Sequence, residues 1–368
     1  MPVKLSIGSA VYNIDEPFLR AHIEGILPQL TDETELLLID DCSTNNSGAV
    51  CREYAAKDSR VRYILMEQNG GLSVVRNRTI EEAKGKWIFF ADADDLLSEH
   101  FVETALHFCD APYEIIIHER LKFLEQKQAE QPCTVETLTE LEADTGRKLS
   151  ISSLCLDPSY GTACGLSSRA FFHAAWGALY QKAFLEKYNL IFPAGQKKAQ
   201  DAVFNTEVYY HAASIAYLPY VMYFYRGNPQ GITRRYSADL PQIYRRLLSL
   251  LSADKERFFA GDAAVEESYR NHRVMAVVID NMRLNIFHKD NPLSKEERKK
   301  AFLAFIEEEP YRSAIADFNA QKSGRYEWLL TVKLIRKKRF ALLNLFVGND
   351  RAFNMLSGAY KRLAAKSK

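Results

Sequence analysis

The chain has 368 residues, of which 47% are hydrophobic and 26% charged. That composition excludes a disordered chain and suits about two domains. Forty-eight Lys and Arg against 47 Asp and Glu leave a net charge of +1, which argues against a dedicated nucleic-acid binder, whose footprint is a basic excess.

The elements alternate over the first 120 residues. Val3 to Val11 reads as a strand ending in Tyr12-Asn13, and Asp15 is placed to cap a helix with Pro17 in its first turn. Leu19, Ile23, Ile26, Leu27 and Leu30 follow a 3.6-residue period, and Glu35 to Ile39 is a continuous apolar strand of the kind buried on both faces of a parallel sheet. A helix at 49–57, a strand at 61–66, a helix at 73–83 and a strand at 86–90 continue the pattern. Ser98 is placed to cap another helix, and Ile115 to Ile117 form a fifth strand. Repeated β-α-β units with short connections predict a doubly wound, mostly parallel α/β sheet. Residues 119–150 are polar and break this regularity as an insertion. Apolar and aromatic residues return over 151–237. Helical periodicity dominates 238–321, where Ser294 to Glu297 form a capping box. The expected organisation is therefore an α/β domain over 1–237, divided at 118 and 150, then a mostly α region over 238–321, then a tail over 322–368.

The six cysteines show no CxxC spacing, and no run reaches the roughly 20 apolar residues of a spanning helix. A cytoplasmic protein is the expectation, with neither a zinc site nor a disulfide framework. His22, His107, His118, His173 and His211 lie within helical or strand patterns, without ligand spacing.

In an open parallel sheet, ligands sit beyond the carboxyl ends of the strands. Three polar clusters fall there: Tyr12-Asn13, Asp40-Asp41 and Asp92-Ala93-Asp94-Asp95. In extended backbone, Asp92 and Asp94 project to one side, where two like charges repel unless a cation intervenes. Oxygen ligands without His or Cys favour Mg²⁺ or Mn²⁺, held by one or two carboxylates together with substrate phosphates. Asn69-Gly70-Gly71-Leu72-Ser73 opens a helix carrying Arg76. It fits neither the GxxxxGK[ST] nor the GxGxxG pattern, yet a helix N-terminus with an arginine attracts anions.

These blocks together resemble the ordered signature of the family 2 inverting glycosyltransferases of the GT-A (nucleotide-diphospho-sugar transferase) fold. They are Ser6 to Asn13, Leu38 to Thr44, Gly70 to Asn77 and Phe89 to Asp95. Ala175 to Leu185, Ile191-Phe192-Pro193, Gln200 to Phe204 and Tyr223 to Arg226 are similar to the acceptor half of bacterial polysaccharide and lipooligosaccharide members. The resemblance implies that Ala10, Tyr12, Asp41, Arg76, Asp92 and Ala93 surround a nucleotide-sugar, with Asp92 also facing the metal beside Asp94. Tyr12 would stack on the base, Asp41 would bond its edge, and Arg76 would reach the base or the diphosphate. Asp94, with Asp92 beside it, would hold the metal. Asp201 would be the catalytic base, and Trp176 and Gln200 would shape the acceptor pocket. Arg234 and Arg235 are placed to close over the diphosphate as a lid. Gln200 stands where the family has Glu, Ala10 where it has Pro, and Val74-Val75 where it has Ala-Ala. The Gln-x-x-Arg-Trp signature of processive synthases is absent, so one sugar per event is expected. A UDP-sugar donor and a glycan or lipid-linked acceptor follow from the resemblance. The alternative is a catalytically degenerate scaffold of the same fold.

Residues 322–368 carry twelve Lys or Arg and two acids. Leu334 to Phe346 mixes basic and apolar residues over one helix length, the pattern of a helix lying on an anionic membrane surface. That reading places the protein at the inner face of the cell membrane. The sequence does not specify an oligomeric state.

Overall fold

The computed structural model describes residues 1–123, 137–227, 235–347 and 355. The chain divides into two compact units: Met1–Ser153 with Pro158–Asn228, and Leu154–Asp157 with Pro229–Lys368.

The first unit is built on a sheet of nine strands among the described residues. They are β1 (Leu5–Val11), β2 (Thr34–Asp40), β3 (Val61–Leu65), β4 (Trp87–Asp92), β5 (Leu96–Leu97), β6 (Ile115–Phe123), β7 (Thr139–Glu140), β8 (Ala178–Gln181) and β9 (Ile215–Arg226). The order is β3-β2-β1-β4-β8-β6-β9-β5, with β7 on β9. The four-strand half from β3 to β4 is parallel throughout. β8 runs antiparallel to both β4 and β6, and β6 runs parallel to β9. The sheet is thus mixed but mostly parallel, and β1, β4, β6 and β9 all run the same way. β2 is buried at every position, as its unbroken apolar run predicts for a strand covered on both faces.

Helices α1 (Glu16–Ile26), α2 (Ser47–Lys57), α3 (Leu72–Glu82), α4 (Phe101–His107), α5 (Thr145–Cys155), α6 (Pro158–Thr162), α7 (Lys182–Lys187) and α8 (Gln200–His211) accompany the sheet. Two apolar clusters form the core. One contains Ile7, Leu36, Phe89 and Trp176, the other Leu37, Phe90, Tyr180 and Phe204. Two expected caps differ. Asp15 occupies the N-cap of α1, but its side chain makes no capping bond; its backbone carbonyl accepts from Phe18 and Leu19. Ser98 lies two residues before the N-cap of α4, which is His100.

β1 and α3 approach closely at Gly8, where an added Cβ would lie 2.1 Å from Thr79 Cγ2. Gly71 caps α3 with φ +80° and ψ 167°, a combination open in practice to glycine alone.

The second unit is helical: α9 (Leu240–Phe259), α10 (Ala263–Ser268), α11 (Met275–Asn281), α12 (Lys295–Glu307), α13 (Tyr311–Asp317), α14 (Ala320–Ser323), α15 (Leu329–Arg336) and α16 (Phe340–Phe346). The capping box at α12 forms as predicted. Leu154–Asp157 is clasped by this unit: Arg273 Nε donates to Leu154 O (2.9 Å) and Ser268 Oγ to Asp157 Oδ2 (2.7 Å). Residues 322–347 belong to its core, where Val332, Ile335, Phe340 and Leu343 are buried. Arg336 donates to the carbonyls of Ile315, Ala316 and Phe318. No helix among the described residues is long and apolar enough to cross a membrane.

Candidate active site

The strand register brings the three polar clusters together. Val11 lies opposite Asp40, and Ala10 opposite Asp92. Asn13 ties the first two clusters: its Oδ1 accepts from the backbone of Thr44 (2.7 Å) and Asn45 (3.2 Å). Asp40 accepts from Ser43 N (2.8 Å) and from Tyr63 OH (3.0 Å). Asn13, Cys42 and Ala199 all have φ between 50° and 61°. Left-handed backbone in non-glycine residues carries strain that concentrates at functional sites, and all three flank this cleft.

Tyr12 projects from the end of β1 and is 48% exposed, unusual for a large ring. Asp41 is buried, and its two carboxylate oxygens accept from Gly70 N (2.7 Å) and Gly71 N (2.8 Å). It therefore shapes the glycine loop that opens α3.

Arg76 is the centre of the arrangement. It is only 3% exposed, and its guanidinium reaches two carboxylates from distant parts of the sequence. Nη2 donates to Asp92 Oδ1 at 3.0 Å, and Nη1 donates to Asp201 Oδ1. Its Cζ lies 5.3 Å from the Phe192 ring centroid. The predicted base and the predicted acidic turn are thus one guanidinium apart. Arg76 itself is enclosed by carboxylates rather than directed at open solvent.

Asp201 stands in the first turn of α8, with Ala199 in left-handed conformation at the N-cap and Gln200 buried beside it. Its side chain keeps 23% exposure. Burial raises its pKa above the ordinary carboxylate value, while Arg76 and the Ala175 backbone amide oppose the rise.

The acidic turn departs from the extended geometry expected of it. Asp95 N donates to Asp92 O (3.0 Å), so the chain turns directly after β4. The carboxylates nonetheless remain within electrostatic reach. Burial, and next the charge of Asp92, push Asp94 up to about 6. Asp95 is pushed to about 8 by burial, then by Asp92 and Asp94. Ala93 is buried between them. Among the described residues no side chain donates to Asp94, and no three His, Cys, Asp or Glu side chains converge as a metal cluster. Asp94 and Asp92 are the oxygen pair the chain presents. Arg76 offsets part of the charge on Asp92; a divalent cation would relieve the repulsion that remains, and the donor set fits Mg²⁺ or Mn²⁺ with phosphate oxygens completing the shell.

Sequence reasoning missed the support beneath this turn. Tyr223 OH donates to Asp95 Oδ2 (2.6 Å) and accepts from Asp92 N (3.2 Å). Arg226 N donates to Asp95 Oδ1 (2.6 Å), and Arg226 Nε to Asp94 O (2.8 Å). His22 links Asp95 O (2.7 Å) to Ser9 Oγ (2.8 Å). Tyr223 to Arg226 stood out in the sequence as a block similar to the acceptor half, but nothing there indicated that it bonds the acidic turn. Trp176 is 5% exposed and stacks on Tyr223 at 4.5 Å and 3°, so it supports the turn from within the core rather than lining an open pocket. Arg234 lies outside the described residues, and Arg235 is exposed at the start of the helical unit.

Comparisons with known proteins agree on one family. Residues 6–156 match the model described as glycosyl transferase family 2. The uncharacterized glycosyltransferase EpsJ of Bacillus subtilis is 27% identical over 62% of this chain and 62% of its own length. The uncharacterized glycosyltransferase YibD of Escherichia coli is 31% identical over 63% of each. The chain thus spans a little under two thirds of these relatives. The crystal structure of S. aureus TarS 1–349 in complex with UDP-GlcNAc superposes with a TM-score of 0.60 at 18% identity, covering 94% of this chain and 90% of that one. At that identity the likeness establishes the shared fold.

Proposed function

We propose that this chain, whose residues 6–156 match glycosyltransferase family 2 and whose fold is that of GT-A, transfers one hexose or N-acetylhexosamine per event, with inversion, from a nucleotide-diphosphate sugar to a hydroxyl of a bacterial surface glycan or glycolipid. The observation that carries this reading is Arg76 joining Asp92 to Asp201. A group suited to take a proton from an alcohol stands beside the acidic turn suited to a diphosphate.

The roles follow from position. Tyr12 offers its exposed face to the base, and the Gly70-Gly71 loop held by Asp41 borders the same cleft. Asp201 accepts the proton of the attacking hydroxyl; its raised pKa makes it a stronger base than a solvated carboxylate. A divalent ion on Asp94 and Asp92 would offset the charge developing on the departing diphosphate. Arg76 holds Asp201 in place through the approach, leaving its second oxygen free of Arg76. Displacement at the anomeric carbon has oxocarbenium character, so positioning of base and leaving group supplies much of the rate.

The TarS complex supports a UDP-sugar as donor. A thermal-shift screen of nucleotide sugars with and without Mn²⁺ tests the proposal. Selective, metal-dependent stabilisation by one donor is expected, since a ligand at 100 times its Kd adds about 2.7 kcal/mol. No stabilisation by any nucleotide sugar would reject transfer and favour the degenerate scaffold.

A further inference from the structure

Arg120 differs from several arginines of the first unit. Arg20, Arg60, Arg62, Arg76 and Arg78 each pair with a carboxylate. Arg120 is part-buried on β6, forms no ion pair among the described residues, and leaves its Nε without an acceptor. Such a group is costly to withdraw from water unless an anion meets it. Burial accordingly lowers its pKa from the ordinary value.

Its surroundings lead to the acidic turn. Arg120 Cζ lies 4.5 Å from the Phe171 ring centroid. Phe171 stacks on Trp176 at 5.3 Å and 18°, and Trp176 on Tyr223 at 4.5 Å and 3°. Tyr223 then bonds Asp95 and Asp92. The rings of Phe171, Trp176 and Tyr223 thus form a continuous aromatic connection between Arg120 and the acidic turn. Tyr225 also stacks on Trp176, at 5.7 Å and 20°. Two residues on, Lys122 is exposed and pairs in register with Tyr225. β6 runs parallel to β4 and β9, so both cations stand at the carboxyl edge of the sheet, where ligands bind.

Resting on the transferase reading above, we propose that Arg120, with Lys122, forms an anion subsite for the acceptor, selecting a glycan that carries a phosphodiester or carboxylate on a unit beyond the one receiving the sugar. The three rings between Arg120 and Asp95 mark this subsite off from the one for the donor diphosphate. An arginine fork binds either anion in two-point fashion, which lysine does not reproduce.

The test is calorimetric titration of the protein saturated with UDP, using three probes of similar length: poly(ribitol phosphate) oligomers, oligogalacturonate and neutral maltooligosaccharide. At least one anionic probe should bind about tenfold or more tighter than the neutral one, with the preference falling steeply as salt is raised to about 0.5 M. Which anionic probe prevails identifies phosphodiester or carboxylate. Arg120→Gln should abolish the preference, and Arg120→Lys should retain part of it, both with UDP affinity unchanged. Equal binding of anionic and neutral probes, no binding of either anionic probe, or an undiminished preference in Arg120→Gln would overturn the subsite. Failure of the wild-type protein to bind UDP or any nucleotide sugar would instead reject the transferase reading.

Discussion

Two side chains at the centre of the cleft allow sharp tests. Asp201→Asn removes the proton acceptor while keeping size and the Arg76 contact. We expect kcat to fall by about 10²–10⁴, with donor affinity within a few-fold of wild type. Isothermal titration beside steady-state assay measures both, and a kcat loss under about tenfold would show that another group is the base. Because burial raises the pKa of Asp201, activity should be lost as pH falls through a value above the usual carboxylate range. Arg76 opposes that rise, so Arg76→Met should move the acid limb of the kcat/KM profile to still higher pH. An unmoved limb in Arg76→Met would mean that Arg76 does not tune Asp201. Arg76→Lys keeps the charge but loses the fork, and is expected to fall between the two.

At the scale of elements, the contact of β1 with α3 fixes where Arg76 points. Gly8→Ala would drive a methyl into Thr79, one turn beyond Arg76 on the same helix. Overpacking of this kind costs about 1–3 kcal/mol. We expect a lower Tm together with weaker donor binding, measured by calorimetry and titration on the same sample. Loss of stability without loss of binding would show that α3 shifts independently of the cleft. Truncation has its own limit in the helical unit. Cutting the chain near Gly324 would remove Trp328, Val332, Ile335, Phe340 and Leu343, all buried. A cut after Val347 spares them. Full-length protein should partition onto anionic vesicles more than this shorter form if the basic residues beyond 347 contact a membrane, and equal flotation would reject that contact.

For the whole molecule, buried neutral histidines make one contribution to the pH dependence of stability. Burial lowers His22 and His118 to about 4. Both bind fewer protons folded than unfolded between about pH 4 and 6.5, so their contribution is complete above the unfolded value and is lost as pH falls toward 4. Each pKa unit corresponds to about 1.4 kcal/mol. The raised Asp94 and Asp95 act in the opposite sense over the same range, so the histidine contribution is read by difference: in chemical denaturation at stepped pH, His22→Gln should lose less stability than wild type as pH falls toward 4. An identical slope in the variant would assign the acid sensitivity to other groups.

What the amino-acid order determined by itself was local and periodic. The unbroken apolar run of β2 announced a strand buried on both faces, the 3.6-residue spacing announced α1, and polar clusters after three strands announced a cleft, because a parallel sheet leaves its ligand sites at the carboxyl ends. Asp92 and Asp94 stood out for the same reason, directly after a strand, whereas Asp201 was singled out only by the family resemblance. Only the tertiary structure decided what those residues touch. That Arg76 closes on both Asp92 and Asp201, that Trp176 lies in a buried stack, and that Tyr223 and Arg226 hold the acidic turn all depend on strand order and register across more than a hundred residues. Periodicity carries which face a side chain takes, but not which distant element will lie against that face.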